Sequence, residues 1–152
     1  PKSTVLGADT LVHLDDELFG KPKNLTEAKG MLRRLSGKTH QVTTACALVE
    51  DGRKKVFSVT TRVGFRQLTL RQINAYLKAV PVLDKAGAYA IQDTQFQPVA
   101  RVAGCYLNVV GLPVCTLLRL MSQMGIYPTI DPKWTPPGDC PDCAYWVSLS
   151  RA

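Results

Sequence analysis

The sequence has few aromatic residues and no long apolar run, and these shortages limit what the protein can be. Aromatic residues make up 7% of the 152 residues and hydrophobic residues 45%, as in an ordinary globular domain. No apolar run reaches the ~20 residues of a membrane-spanning helix, so no membrane association is expected. Residues 1–3 do not begin a signal peptide. A first residue of Pro rather than Met leads us to expect an excerpt or a processed chain.

Several catalytic motifs are also missing. The sequence contains no Walker-type phosphate loop, no GxGxxG before a helix and no GxSxG elbow. These absences argue against a P-loop NTPase, a dinucleotide-binding domain and an α/β-hydrolase. The two histidines, His13 and His40, are not spaced as a metal-binding pair. We expect His40 to be a structural hydrogen-bonding residue rather than a catalyst.

The five cysteines do not form a disulfide framework. Cys46, Cys105 and Cys115 each lie among apolar neighbours, which predicts small buried thiols in a reducing compartment. Cys140 and Cys143 form a single CPDC motif, which is half of a zinc knuckle. A zinc-binding interaction module therefore remains one of the hypotheses.

The chain is basic. It carries 19 Lys and Arg against 12 Asp and Glu, a net charge of +7, with a pI near 9.3. Such a balance favours phosphate-bearing partners, either nucleotides or nucleic acid. A solvated basic surface explains the charge equally well.

Hydrophobic patterning predicts strands that alternate with helices. Residues 4–8 are expected to form a buried strand that delivers Asp9 at its end. The following "TLVHL" is expected to continue in extended form to an acidic turn at Asp15–Asp16. The β-rich segments 41–49 and 54–63 flank Asp51–Gly52, a strong hairpin signal. A further strand is predicted in residues 98–104, "PVARVAG".

Three helices are expected, each with start and stop signals. The starts are marked by Asn24 with Glu27, Thr69 with Gln72, and Pro113, and the stops by Gly37, Pro81 and Gly125. The pattern predicts an α/β or α+β class with a mixed sheet. Of the two we expect α/β, with a mixed β-sheet and flanking helices. We expect residues 1–124 to form the domain. Residues 125–152, which contain both tryptophans, are expected to form a Pro-, Trp- and Cys-containing C-terminal extension.

Three charged side chains are candidates for chemistry. Asp9 follows an apolar stretch, where a carboxylate can hold a divalent metal or accept a proton from water, and Thr10 adds a hydroxyl. An Asp that merely caps a turn is the alternative. Lys21 lies between Gly20 and Pro22. Lys85 lies in "DKAGAYAIQ", where we expect it to form a salt bridge with Asp84, beside small residues that let a ligand or another backbone approach. Two such lysines with one carboxylate suit a metal–polyphosphate ligand, although each alone could be a surface cation.

The ordered motifs "GADT", "GKP", "EAKGMLRRLSGKTHQV", "VTTRVGFRQLT", "INAYL", "DKAGAYAIQ" and "NVVGLP" are more specific than any single residue. The chain resembles the Maf family of nucleoside triphosphate pyrophosphatases over residues 4 to about 124. The resemblance implies a fold like that of inosine triphosphate pyrophosphatases, and cleavage of a nucleoside triphosphate to the monophosphate and pyrophosphate with Mg²⁺ or Mn²⁺. It also implies a role in clearing nucleotides in the cytoplasm, and a homodimer.

The resemblance also assigns expected roles to single residues. Asp9 matches the catalytic proton acceptor, Lys21 and Lys85 match phosphate-binding lysines, and Thr10 and Gln92 match positions tied to substrate choice. "DKAGAYAIQ" resembles the branch that acts on dTTP and UTP. An amide such as Gln92 can both donate to and accept from a uracil or thymine ring.

The sequence departs from the family pattern in three places. The family's first strand, its Ser- and Arg-rich phosphate loop and the following helix with an acidic residue precede "ADT", and the sequence does not include them. Asp93, Thr94 and Gln95 follow Gln92, where the family usually has glycines. The extension after Gly125 has no counterpart that we can place. The second hypothesis is therefore a catalytically inactive Maf-like fragment that binds nucleotide, nucleic acid or a protein partner.

Overall fold

The computed structural model describes residues 3–131, 133, 134 and 137. These residues form one five-stranded sheet with helices packed on one face. In chain order the elements are β1 (Thr4–Leu14), β2 (Glu17–Phe19), α1 (Leu25–Leu35), β3 (Thr39–Glu50), β4 (Arg53–Phe65), α2 (Leu70–Ala79), a 3₁₀ turn (Ala86–Ala88), β5 (Val99–Ala103), α3 (Tyr106–Val110) and α4 (Val114–Gln123). The α/β class with flanking helices is confirmed.

The strand order is β2-β1-β3-β4-β5, and each neighbouring pair in this described sheet is antiparallel. The prediction of a mixed sheet is therefore wrong for the described residues. The predicted hairpin joins β3 and β4, and both turn residues have positive φ, 47° at Asp51 and 78° at Gly52. That geometry matches the right-handed twist of the strands. The hairpin prediction is confirmed.

The prediction of a buried strand that ends at Asp9 is wrong, whereas the extended course to a turn at Asp15–Asp16 is confirmed. β1 continues to Leu14, so Asp9 lies near its middle, and residues 4–9 are exposed. The reason is tertiary, because β1 pairs with β3 continuously from Thr4 opposite Glu50 to His13 opposite Gln41. Pairing over that length holds the strand extended past the small residues before Asp9.

The caps of α1 and α2 follow the sequence signals. Asn24 Oδ1 accepts from the backbone N–H of Glu27 at 2.9 Å, whereas the Glu27 carboxylate accepts from Lys23 N and not from Asn24 N. Thr69 and Gln72 form the complete reciprocal capping box of α2. Leu25, the first residue of α1, is largely exposed.

The third predicted helix is confirmed as α4. Its N-cap residue is Pro113, and Gly125 follows its end with φ 76°. A separate five-residue helix, α3, precedes it and ends at Gly111, where φ is 125°.

The core lies between the sheet and the helices. Buried side chains of α1, α2 and the segment around Tyr89 pack against one end of the sheet, and α4 packs against the other end through Leu117 and Leu48. Cys46, Cys105 and Cys115 are buried, as predicted. Among the helices of the described residues, none combines the length and the apolar character that a membrane crossing requires. Cys140 and Cys143 lie outside those residues.

Candidate functional site

A cavity of about 300 Å³ opens beside the middle of β1. Its walls come from β1, the loop before α1, the segment 84–92 and the end of α3, with Val42 of β3 also contributing. All five residues singled out from the sequence line this cavity: Asp9, Thr10, Lys21, Lys85 and Gln92. A volume of this size lies at the lower end of the range for small-molecule sites.

Asp9 and Thr10 reach the cavity from neighbouring positions of one strand. The Asp9 carboxylate is exposed, and its Oδ1 accepts from the backbone N–H of Thr10 at 2.9 Å. Thr10 is half-buried, and its hydroxyl lies 2.9 Å from that of Thr44 on β3. The strand thus presents an accessible carboxylate next to a hydroxyl that is anchored in the sheet.

A backbone contact links the loop that carries Lys21 to the segment that carries Lys85. Gly87 N donates to Gly20 O at 3.1 Å. Gly87 has a φ of 70°, and a Cβ at this position would lie 3.1 Å from the side chain of Val12. The small residues of "DKAGAYAIQ" therefore allow this segment to pack against β1 and the loop, which brings both lysines to one cavity.

Lys85 has a carboxylate partner inside the cavity. Its Nζ lies 2.8 Å from Asp84 Oδ1. The hydrogen bond from Lys85 is the largest cause that lowers the pKa of Asp84, and Lys21 adds to the effect through its charge. The cavity therefore holds two lysines and two carboxylates. The sequence interpretation had treated Asp84 as a salt-bridge partner and had not placed it in the site.

Hydrogen bonds to Tyr76 and within the following loop hold the cavity wall that carries Gln92. Ala90 N donates to the Tyr76 hydroxyl of α2 at 2.9 Å. The Asp93 carboxylate accepts from the backbone N–H groups of Gln95 and Phe96 at 3.1 and 2.7 Å. Asp93, which stands where the family usually has a glycine, thus holds the loop after Gln92 through hydrogen bonds to its backbone.

A buried aromatic cluster lies behind the cavity. The Tyr89 hydroxyl lies 2.8 Å from Nε2 of His40, and both rings contact Phe65 edge to face or at a tilt. Burial, assisted by the charge of His13, lowers the pKa of His40 to about 4. His40 is therefore neutral at pH 7, and its predicted structural role is confirmed.

The end of α3 is the part of the site that sequence reasoning missed. Val109, Val110 and Gly111 line the cavity, and Asn108 is buried behind them. The only sequence signal was the motif "NVVGLP", which has neither a capping residue nor helical periodicity. Such a short helix is positioned by its tertiary contacts rather than by its own propensity.

The cavity offers carboxylate ligands for a divalent ion, but among the described residues they are too few to bind the ion by themselves. Among the described residues, no group of three or more His, Cys, Asp or Glu side chains could hold a metal. The cavity offers Asp9 and Asp84, and Asp84 is paired with Lys85. Mg²⁺ commonly binds one or two carboxylates together with substrate phosphates. The donors fit an ion that is bound together with a polyphosphate.

Similar proteins are named for one activity. Residues 1–124 match the family described as Maf-like protein. The chain is 41% identical to a dTTP/UTP pyrophosphatase of Dehalococcoides mccartyi, over 91% of this chain and 63% of the relative. It is 44% identical to one of Bacillus pumilus, over 84% and 68%, and 45% identical to one of Akkermansia muciniphila, over 82% and 66%. The chain thus spans about two thirds of the length of these curated relatives. The match over most of its own length shows that this chain belongs to the family of Maf-like proteins.

Proposed function

We propose that this protein is a nucleoside triphosphate pyrophosphatase that acts on dTTP and UTP, or on modified nucleotides, and clears them from the nucleotide pool. The observation that carries the proposal is the convergence of five residues from three separate segments on one cavity: Asp9, Thr10, Lys21, Lys85 and Gln92. The names of the relatives supply the substrate class.

The charges in the cavity support a polyphosphate ligand. Lys21 and Lys85 line it together, and Asp84 holds the Lys85 ammonium group in place at 2.8 Å. Preorganised cations stabilise the negative charge that grows on the leaving group when a phosphoryl group is transferred. We assign both lysines to the phosphates of the substrate.

Asp9 is assigned as the proton acceptor. Its carboxylate is accessible and is oriented by the hydrogen bond from Thr10 N. A water oxygen forms a bond to the α-phosphorus while the bond from that phosphorus to the bridging oxygen breaks. The water proton passes to Asp9, and pyrophosphate leaves with the electron pair of the broken bond.

The donor set also supports a divalent cofactor, Mg²⁺ or Mn²⁺. Asp9 is the carboxylate that would bind the ion together with the substrate phosphates, and Asp84 is a second candidate. When bound, the ion supplies charge neutralisation and polarises a phosphoryl oxygen.

Base selection is assigned to Thr10 and Gln92. Gln92 carries an amide that can donate and accept, as the edge of uracil or thymine requires. We also propose that the protein acts in the cytoplasm, where the nucleotide pool is found, and that it forms a homodimer.

The test is a product assay over four substrates. We would incubate the purified protein with Mn²⁺ and dTTP, UTP, CTP or 7-methyl-GTP, and measure pyrophosphate and orthophosphate separately. The proposal predicts pyrophosphate from dTTP and UTP, and loss of that product when the metal is chelated. Release of orthophosphate instead, or the same slow rate with every substrate, would contradict it. Nucleotide binding without turnover would favour the inactive Maf-like alternative.

A further inference from the structure

A chain of hydrogen bonds leads from the cavity into the core and fixes the role of one hydroxyl. Thr10 Oγ1 lies 2.9 Å from Thr44 Oγ1, and Thr44 Oγ1 donates to the backbone carbonyl of Asn108 at 3.0 Å. A hydroxyl has one proton, and a carbonyl can only accept. The hydroxyl proton of Thr44 is therefore used in the hydrogen bond to Asn108, so Thr44 can only accept a hydrogen bond from Thr10. The proton of Thr10 is consequently held inside the protein.

The Asn108 side-chain amide, at the buried end of this series of hydrogen bonds, has only one possible orientation. Asn108 Nδ2 donates to Val42 O and to Thr61 Oγ1, both at 2.9 Å, and Asn108 Oδ1 accepts from Thr44 N at 3.2 Å. Since Val42 O can only accept and Thr44 N can only donate, the Asn108 amide cannot be flipped. Thr44 and Asn108 are both 0% exposed. The geometry around Thr44 is therefore fixed by fully buried groups.

The oxygen of Thr10 is accessible from the cavity on its other side. Thr10 and Gly111 both line the cavity. A Cβ at Gly111, where φ is 125°, would lie 3.7 Å from Thr10 Oγ1. The glycine at the end of α3 thus leaves the space beside this hydroxyl open. A ligand atom that enters this space meets lone pairs and no proton.

We propose that Thr44, held by Asn108, is a positioning residue that makes Thr10 an obligate hydrogen-bond acceptor. The ligand atom that meets Thr10 must then carry a hydrogen. On the proposed function, on which this inference rests, that atom is N3–H of uracil or thymine. N3 of cytosine carries no hydrogen, so its lone pair would face those of Thr10.

The test compares two substrates in two variants of Thr44. UTP and CTP share sugar and phosphates and differ in the polarity of N3 and of the C4 substituent. Thr44→Val removes the acceptor that holds the Thr10 proton, and Thr44→Ser keeps it. We expect the UTP-to-CTP ratio of kcat/KM to fall about tenfold in Thr44→Val, because Thr10 can then rotate and donate. The Thr44→Ser protein should keep the preference of the unmodified protein.

A merely structural role for Thr44 predicts a different result. Both substrates would then lose activity equally in Thr44→Val, and the unchanged ratio would overturn the inference. Thermal unfolding would show whether the variant folds. If it does not, Thr10→Val provides the second variant, because loss of the acceptor itself must also reduce the UTP preference; an unchanged ratio there would overturn the inference too.

Binding measurements separate this inference from the proposed function. Calorimetry with the α,β-imido analogues of UTP and CTP requires no cleavage. A uridine preference in binding that falls in Thr44→Val would support the inference even if no pyrophosphate were ever released. Cleavage of UTP with a ratio unaffected by Thr44→Val would overturn the inference and leave the function standing. Binding of neither analogue would overturn both.

Discussion

Lys85 shows how one side chain in this cavity depends on its neighbour. Its ammonium group contacts the Asp84 carboxylate at 2.8 Å, and its side chain is about 29% exposed. Asp84 therefore orients the Lys85 ammonium group before an anionic ligand binds. The ligand must also compete with Asp84 for that ammonium group. The sequence predicted the pair and the nearby small residues. It could not show that Lys21 would lie in the same cavity, because that depends on a backbone contact between Gly87 and Gly20.

Replacement of Lys85 by Gln should weaken triphosphate binding. Loss of a charge-assisted contact to phosphate is expected to raise KM for UTP by about tenfold. Lys54→Gln is the matched control, because Lys54 is exposed on β4 and does not line the cavity. Steady-state kinetics on both variants measures the difference. Equal KM values for the two variants would show that Lys85 does not bind the substrate phosphates.

His40 makes the fold sensitive to acid. Burial is the main cause, and the His13 charge a second cause, of a pKa near 4 in place of 6.5. The unfolded chain takes up the proton as pH falls below 6.5, while the folded protein resists it down to about pH 4. The free energy of unfolding should therefore decrease over this interval, by on the order of 3 kcal/mol from His40 alone, and be unaffected by His40 above pH 6.5.

Chemical denaturation at several pH values tests this effect. His40→Gln removes the titrating group and keeps a side chain that can accept from the Tyr89 hydroxyl, so its stability should change less between pH 6.5 and 4. His13→Gln is the control and should retain most of the dependence, because burial is the larger cause. An unchanged slope in His40→Gln would mean that other groups produce the acid sensitivity.

At the scale of elements, the sequence predicted correctly those turns and helix caps that depend only on adjacent residues. The Asp51–Gly52 turn and the Thr69 cap each depend on a few adjacent residues, and both are present. The continuous pairing of β1 with β3 and the existence of α3 depend on distant partners. Residues 4–9 stay extended because β3 pairs with them, and α3 is anchored by buried bonds from Asn108 to β3 and β4. Neither constraint can be read from the local sequence.

The cap of α2 should contribute measurably to stability. Thr69 Oγ1 accepts from Gln72 N, and Gln72 Oε1 accepts from Thr69 N at 2.8 Å. Thr69→Ala is expected to lower the free energy of unfolding by about 1 kcal/mol. Thr26→Ala, an exposed site in the first turn of α1, is the control and should cost less, since alanine is the better helix former. Denaturant unfolding of both variants provides the comparison, and an equal loss in both would argue against the cap.

At the scale of the whole molecule, one sheet and the segments around it assemble the cavity. The excess of basic residues favours a phosphate-bearing ligand, and two of the lysines line the cavity. Family membership and the α/β class could be predicted from ordered motifs. The path of the cavity wall along α3 could not, because it is set by the packing of a five-residue helix. The chain spans about two thirds of the length of its curated relatives. We propose that the cavity beside β1 carries the catalysis.

The most direct test of that claim is the Asp9→Asn variant, assayed with UTP and Mn²⁺ and compared with the unmodified protein. Loss of the proton acceptor should lower the rate of pyrophosphate release by about 10²- to 10⁴-fold. Binding of the α,β-imido analogue of UTP should persist, because Lys21, Lys85 and Gln92 are unchanged. This combination would establish the cavity beside β1 as the catalytic site. An Asp9→Asn protein that releases pyrophosphate at the unmodified rate would contradict the account and place the chemistry elsewhere.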